Sequence, residues 1–407
     1  MAYFKPEDSL FEITEKYPQT IKVFVEQGFE QLADEQKRAT LGKALRLNIA
    51  LAMRNIDEAA FAELLNQAIE GTNGKNTAID PSKKISIKGL LPCPVRLPLQ
   101  EALDEFTKNN TEDIHIKAQL KAASMGLDWI KDEILSAEKI DRLDDIYISA
   151  GFDMFFEDSY FGRFIKTGEY ADPLPWKNIN SDFDHEGLRL KDPKSRYGIL
   201  AVVPAVFLVN TQLIGDRPMP QSWEDLLDPI FANSISLPVS DFDLFNAILL
   251  TLSQRYGTEA ITALGKNMQQ SLHPAQMLKS DRSKNQKPAI TIMPYFFTKM
   301  AKSGGVMQAV WPKDGAIISP IFAIGKANRF SQMEKLAEFL GSVKLAEILS
   351  HQGLFPSLNP DIDNKVPKEN AYMWLGWEYI DAHNLDQEFK NCDKLFNDAH
   401  NLKALKS

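Results

Sequence analysis

Hydrophobic positions change their period several times along the chain, and each change marks a boundary. From Leu10, apolar residues recur at helical spacing through Ile13, Tyr17, Ile21, Phe24 and Val25, with Asp8 or Ser9 as N-cap and Gly28 as closing C-cap. Further helices are predicted over Leu41–Met53, opened by Thr40, and over Glu58–Ile69, capped by Asp57, with Phe61, Leu64, Leu65 and Ala68 on one face. Residues 1–70 thus read as a small helical bundle. The stretch 71–82 is polar, contains glycine and has no period, which makes it a linker.

Strand-like alternation then begins. Ile85–Leu91 alternates as a strand, Pro92-Cys93-Pro94 breaks it, and Leu99–Phe106 carries a helical stripe. Ile114–Ala118 (strand), Gly126–Ala137 (helix) and Asp145–Ser149 (strand) complete a β-α-β-α-β order, which predicts a mostly parallel sheet with helices on both faces. Ligands of such sheets sit at the carboxyl ends of the strands, placing Pro92–Arg96 and Ser149–Phe155 at one rim. Tyr197–Asn210 is almost continuously apolar and contains Pro204, so it reads as a buried crossover leaving one sheet for another. Ser234–Val239, Leu244–Tyr256, Ala289–Met293 and Phe296–Ala301 repeat the alternation as a second α/β lobe. Two strands, Val306–Trp311 and Ala316–Ile324, flank the turn 312–315 and precede an amphipathic helix over Met333–Leu349. The expected division is one lobe from 83–204 with 306–407 and another from 205–305, crossed near Ala201–Val206 and Val306–Trp311.

Two segments carry resemblances. Leu10-Phe-Glu-Ile-Thr-Glu-Lys-Tyr-Pro18, followed by Val25-x-x-Gly28-Phe29, resembles the small helical domain found with hybrid-cluster proteins, over roughly residues 4–70. That family often carries cysteines after the Gly-Phe pair, where this chain has Glu30-Gln-Leu-Ala33. Pro220-x-Ser-Trp223-Glu-Asp-Leu-Leu-Asp-Pro229, Ala309-Val-Trp-Pro312-Lys-Asp-Gly315-Ala-Ile-Ile-Ser-Pro320, and Ala337-x-Phe339-Leu-x-Ser342 with Gly353-Leu-Phe-Pro-Ser357 resemble the extracellular solute-binding proteins of ABC importers, in the two-crossover class that includes ferric binders. This second resemblance covers roughly residues 85–385 and implies a bilobed periplasmic-binding-protein-like α/β fold that closes on a small ligand without catalysis. The adjacent tyrosine pair of ferric binders is not found, since Phe296-Phe297 follows Tyr295.

Composition narrows the function classes. With 407 residues, 44% apolar and 25% charged, the chain has ordinary globular composition and room for two or three domains. A net charge of −9 without a basic run argues against nucleic acid, and no apolar run is long enough for membrane insertion. Met1–Leu10 has neither a basic start nor an apolar core, so a cytoplasmic protein is expected, with a periplasmic or extracellular one as the alternative if the start is truncated. Cys93 and Cys392 lie far apart and imply no disulfide framework or metal cluster, and the six histidines show no ligand-like spacing. No cofactor, metal or catalytic motif is expected.

Candidate ligand-binding residues come from the strand ends. Cys93 precedes a helix N-terminus that would lower a thiol pKa, which also motivates a redox or enzymatic alternative. Pro94 shapes the same loop, and Arg96 could pair with an anion. Ser149, Phe152 and Asp153 end the third strand, Ser240 and Asp241 lie before a helix where a hydroxyl and backbone amides can hold an anion, and Tyr295 is expected to face the cleft. The implied partners are a small molecule or ion and an ABC importer, with a cytoplasmic sensor or sequestering protein as the leading expectation.

Overall fold

Pro18 lacks the amide hydrogen that would continue the first helical stripe, and the stripe divides there into helices Leu10–Lys16 and Thr20–Glu26. Ser9 caps the first: its Oγ accepts from the Glu12 amide at 3.1 Å while the Glu12 carboxylate accepts from the Ser9 amide at 2.8 Å. The computed structural model describes residues 3–26, 29–53, 61–62, 64–66, 68–69, 83–110, 114–122, 128–150, 153–239, 242–271, 287–301 and 304–404. The helix expected over Leu41–Met53 is a π-helical turn, Arg38–Gly42, followed by Leu47–Met53. Leu10, Ile13, Phe24, Phe29, Leu47, Phe61 and Leu65 close a separate core, while the expected caps Gly28 and Asp57 lie outside the described residues. The chain separates into compact units Met1–Ile79 and Asp80–Ser407, and the expected linker 71–82 also lies outside the described residues.

The larger unit is organised by thirteen described strands: β1 (Lys84–Leu91), β2 (His115–Ala122), β3 (Ile146–Ala150), β4 (Tyr170–Ala171), β5 (Asp184–His185), β6 (Leu188–Arg189), β7 (Gly198–Asn210), β8 (Ile235–Leu237), β9 (Met268–Ser271), β10 (Ile290–Pro294), β11 (Met307–Val310), β12 (Ala316–Lys326) and β13 (Tyr372–Met373). The main sheet runs β2-β1-β3-β12-β7-β10-β8-β9. Its outer parts are parallel: β1 pairs with β2 and β3, and β8 with β9 and β10. Between these half-sheets lies the antiparallel pair β7 and β12, paired from Gly198↔Ala323 to Ala205↔Ile317 with a bulge at Leu200 between Ile321 and Phe322. All thirteen residues of β7 are buried, as its almost continuous apolar run requires.

The chain returns through β12, not through Val306–Trp311. The latter forms β11, which pairs only with the far end of β7, from Met307↔Asn210 to Val310↔Phe207. Gly315, at φ 109°, belongs to the turn that separates β11 from β12, and only after this turn does the strand pass Ala205 and reach β3 at Ile321↔Ala150.

Two prolines lie diagonally across the crossing, two positions apart in the ladder. Pro204 pairs with Ile318 and Pro320 with Val202. The Val202 amide donates away from β12, to Pro356 O at 2.9 Å. By the alternation of an antiparallel ladder, Pro204 and Pro320 occupy outward-facing positions, where neither half-sheet supplies an adjacent strand. An amide hydrogen there would have no ladder acceptor, so proline removes the donor while the inward bonds of the pair are kept.

Helix Leu385–Ala404 packs chiefly on Phe242–Tyr256 and Thr258–Asn267, which follow β8, and also meets helix Asp153–Phe156 after β3. Phe245 and Phe396 meet edge-to-face at 5.2 Å, and a Cβ on Gly265 would lie 2.6 Å from Phe396 O. Residues 306–407 therefore contribute to both halves.

Candidate functional site

β1 delivers the chain directly into helix Cys93–Asn109, with Pro92 as N-cap and Pro94 in the first turn. The segment expected as a loop is thus helical from Cys93 onward, because proline is tolerated in a first turn where amide hydrogens have no partner anyway. Pro94 and Arg96 are half-buried, and among the described residues Arg96 makes no ion pair or hydrogen bond. The Cys93 side chain lies outside the described residues.

Ser149 is 1% exposed, and its hydroxyl donates to Ala150 O at 3.0 Å, so it is already engaged inside β3. Phe152, Ser240 and Asp241 lie outside the described residues, as does the side chain of Asp153, whose backbone opens helix Asp153–Phe156. Tyr295 follows β10 immediately and begins a 3-10 helix, Tyr295–Met300, with its side chain half-buried. The next residue, Phe296, reaches Phe355 at 6.3 Å, on the segment whose Pro356 carbonyl binds Val202.

Three residues that the sequence reading passed over lie along the crossing. Trp311 stands edge-to-face with Tyr295 at 5.2 Å and 77°, and with Tyr372 at 5.5 Å and 79°; Tyr372 in turn meets Phe183 at 5.0 Å. The Trp311 indole is fixed by Nε1–H donating to Ala371 O at 2.7 Å. Tyr372 pairs with Ala316 at the start of β12, and its buried hydroxyl has no hydrogen-bond partner among the described residues. Burial, then the charge of Asp182 and the neighbouring Tyr295, pushes this phenol's ionisation up, so it is a neutral donor. Ser319, opposite Val203 at the middle of the crossing, is 1% exposed with an equally unpartnered Oγ. A signal for Trp311 existed in its position before Pro312, whereas nothing around Tyr372 distinguished it from surface chain.

Among the described residues no three His, Cys, Asp or Glu side chains gather as a metal site. A cavity of about 480 Å³ lined by Lys139, Asp141, Glu169 and Asn328 lies before β3 and beyond β12, at the sheet edge opposite the strand ends considered above, and is separate from them.

Two half-sheets joined by one buried antiparallel crossing define a bilobed α/β binding-protein fold. The chain belongs to the bacterial extracellular solute-binding protein family, whose model matches residues 141–383, and residues 4–61 match a domain of unknown function. No curated protein matches in sequence. Among solved structures, a ferric binding protein from Campylobacter jejuni is similar with 14% identity and a TM-score of 0.54, over 77% of this chain and 99% of that one. The apo ferric ion-binding protein A of Pasteurella haemolytica aligns at 14% identity and TM-score 0.55, over 77% and 98%. The periplasmic binding protein AfuA of Actinobacillus pleuropneumoniae, with fructose-6-phosphate bound, aligns at 16% and 0.53, over 78% and 99%. These relatives are binding proteins, and those whose location is stated are periplasmic or extracellular, which lends no support to the cytoplasmic expectation.

Proposed function

We propose that the chain holds a small solute between its two lobes, without converting it, and delivers it to an ABC importer from outside the cytoplasmic membrane. The crossing pair β7 and β12 carries this reading: it sets the carboxyl ends of β1 and β3 against those of β8 and β10, the edges at which parallel sheets take ligands. One lobe comprises 83–200 with the part of 316–358 that packs on it; the other comprises 205–310 with helix 385–404. Arg96, free of partners among the described residues, and Tyr295 stand on opposite lobes as ligand contacts. The family's extracellular description and its periplasmic neighbours support the location.

A second reading, sensing or sequestration, is favoured by one observation: the solved relatives align with three quarters of the chain, while 1–79 forms a compact unit of its own. A redox role through Cys93 gains no support from relatives that are binding proteins.

Thermal shift with ferric citrate, inorganic phosphate and fructose 6-phosphate tests the binding reading, because a ligand taken only by the folded state raises its apparent stability. A true anionic ligand should lose roughly 1.5–3 kcal/mol of affinity in Arg96→Ala, the worth of a charge-assisted hydrogen bond. Arg96→Ala with unchanged affinity for every ligand that binds would remove Arg96 from the site. Fractionation placing the native protein in the cytosol would favour the sensing reading over import.

A further inference from the structure

We propose that the solute carries a planar ring, seated in the corner between Tyr295 and Trp311, with the Tyr372 hydroxyl donating to a polar group on that ring. The proposal rests on the solute-binding reading and names its substrate class. Tyr295 and Trp311 stand nearly perpendicular, 5.2 Å between centroids, so a third flat ring entering their corner can lie face-on to one and edge-on to the other. Both side chains are half-buried, leaving part of each ring uncovered, and the Ala371 carbonyl anchors Trp311 in place. The Tyr372 ring lies 5.5 Å from that of Trp311, and its hydroxyl is desolvated without a partner among the described residues, a condition that costs free energy until an acceptor arrives. Tyr295 follows β10, Trp311 follows β11 and Tyr372 pairs with the start of β12, so all three lie on the second-lobe side of the crossing, where Tyr372 also meets Phe183 of the first lobe.

An organic cation is the competing occupant of an aromatic corner. It is disfavoured because Asp182, the carboxylate whose charge reaches Tyr372, is already held by Lys368 at 2.5 Å and by the Asn364 amide. The other carboxylate near these rings among the described residues, Asp314, turns its Oδ2 to the Trp223 amide and the Tyr256 hydroxyl.

A matched pair separates ring stacking from simple bulk and charge: benzoate and cyclohexanecarboxylate share size and charge, and only benzoate is flat. Calorimetry on the full chain should show benzoate binding roughly two- to twelvefold more tightly, the range expected of one aromatic pair. In Tyr295→Leu and in Trp311→Leu that preference should disappear, a ratio taken within each variant and so insensitive to its stability. Tyr372→Phe should weaken both acids alike, since the carboxylate is common to them. Equal binding of the two acids to the unmodified chain, or a preference that survives both leucine substitutions, overturns the ring seat and leaves solute binding standing. Binding of ferric citrate or fructose 6-phosphate with neither acid bound has the same consequence, and stronger binding of tetramethylammonium than of benzoate would replace the ring by a cation. Silence from every probe overturns the solute reading itself.

Discussion

Lys88 shows how a single residue can be committed to structure while looking functional. Although only 6% exposed, it is bonded to the Glu133 carboxylate and lies 2.7 Å from Asp144 Oδ2. Tyr170 donates to the Asp144 carbonyl at 2.5 Å and the Asp144 amide donates to Tyr147 at 3.0 Å, so the cluster ties β1 to the segment entering β3. Lys88→Met should destabilise the larger unit by about 3–5 kcal/mol in urea unfolding, because two carboxylates would remain without their cation. Beside it, Gly89 has no room for a methyl group, since an added Cβ would stand 2.3 Å from the Ile148 carbonyl oxygen. Asp172 offers a pH signature. Burial, only partly offset by the Leu174 amide, raises its pKa from 3.8 to about 6. An acid raised on folding binds its proton more tightly in the native state, so its stabilising effect is complete below pH 3.8 and lost as pH rises through about 6. Asp172→Asn should flatten the stability profile across that window and leave the variant more stable at pH 7 by roughly 1–2 kcal/mol, allowing for partial exposure.

At the scale of elements, the crossing pair explains what the sequence could reveal. β7 was legible because Ile199–Val209 is apolar but for Pro204, a pattern that only burial on both faces tolerates. Its returning partner was not: Val306–Trp311 and Ala316–Ile324 are both apolar and strand-like, and their roles differ only in which part of β7 each one meets. The strand ends after β1 and β10 were legible from turn chemistry, whereas Trp311 and Tyr372 become neighbours of Tyr295 only through the sheet order. Pro204→Ala or Pro320→Ala should each cost about 1–3 kcal/mol, as a buried amide without an acceptor does. Hydrogen exchange would check the cause, since the new amide at the substituted site should exchange faster than the ladder amides around it.

For the whole molecule, a contact at the start of helix Leu385–Ala404 adds to the crossing in tying the parts of the large unit together. Glu157, just past helix Asp153–Phe156, has its pKa raised to about 7 by burial and then by hydrogen bonding to Asp386 in the first turn of helix Leu385–Ala404. That helix also covers Gly265 and Phe245. Deleting residues 385–404 should therefore expose the second lobe's core and abolish cooperative unfolding of 80–407 while sparing the unit 1–79, a difference readable by limited proteolysis.

The placement of helix Leu385–Ala404 also dictates an order of events during synthesis. On a ribosome the chain emerges from its amino end, so β1, β2 and β3 can pair as soon as they appear, but β3 must wait for β12 to cover its other edge. Phe245 stays uncovered for longer still, until Phe396 has been made. Throughout that interval the second lobe presents an apolar helical face and the nascent chain is exposed to aggregation.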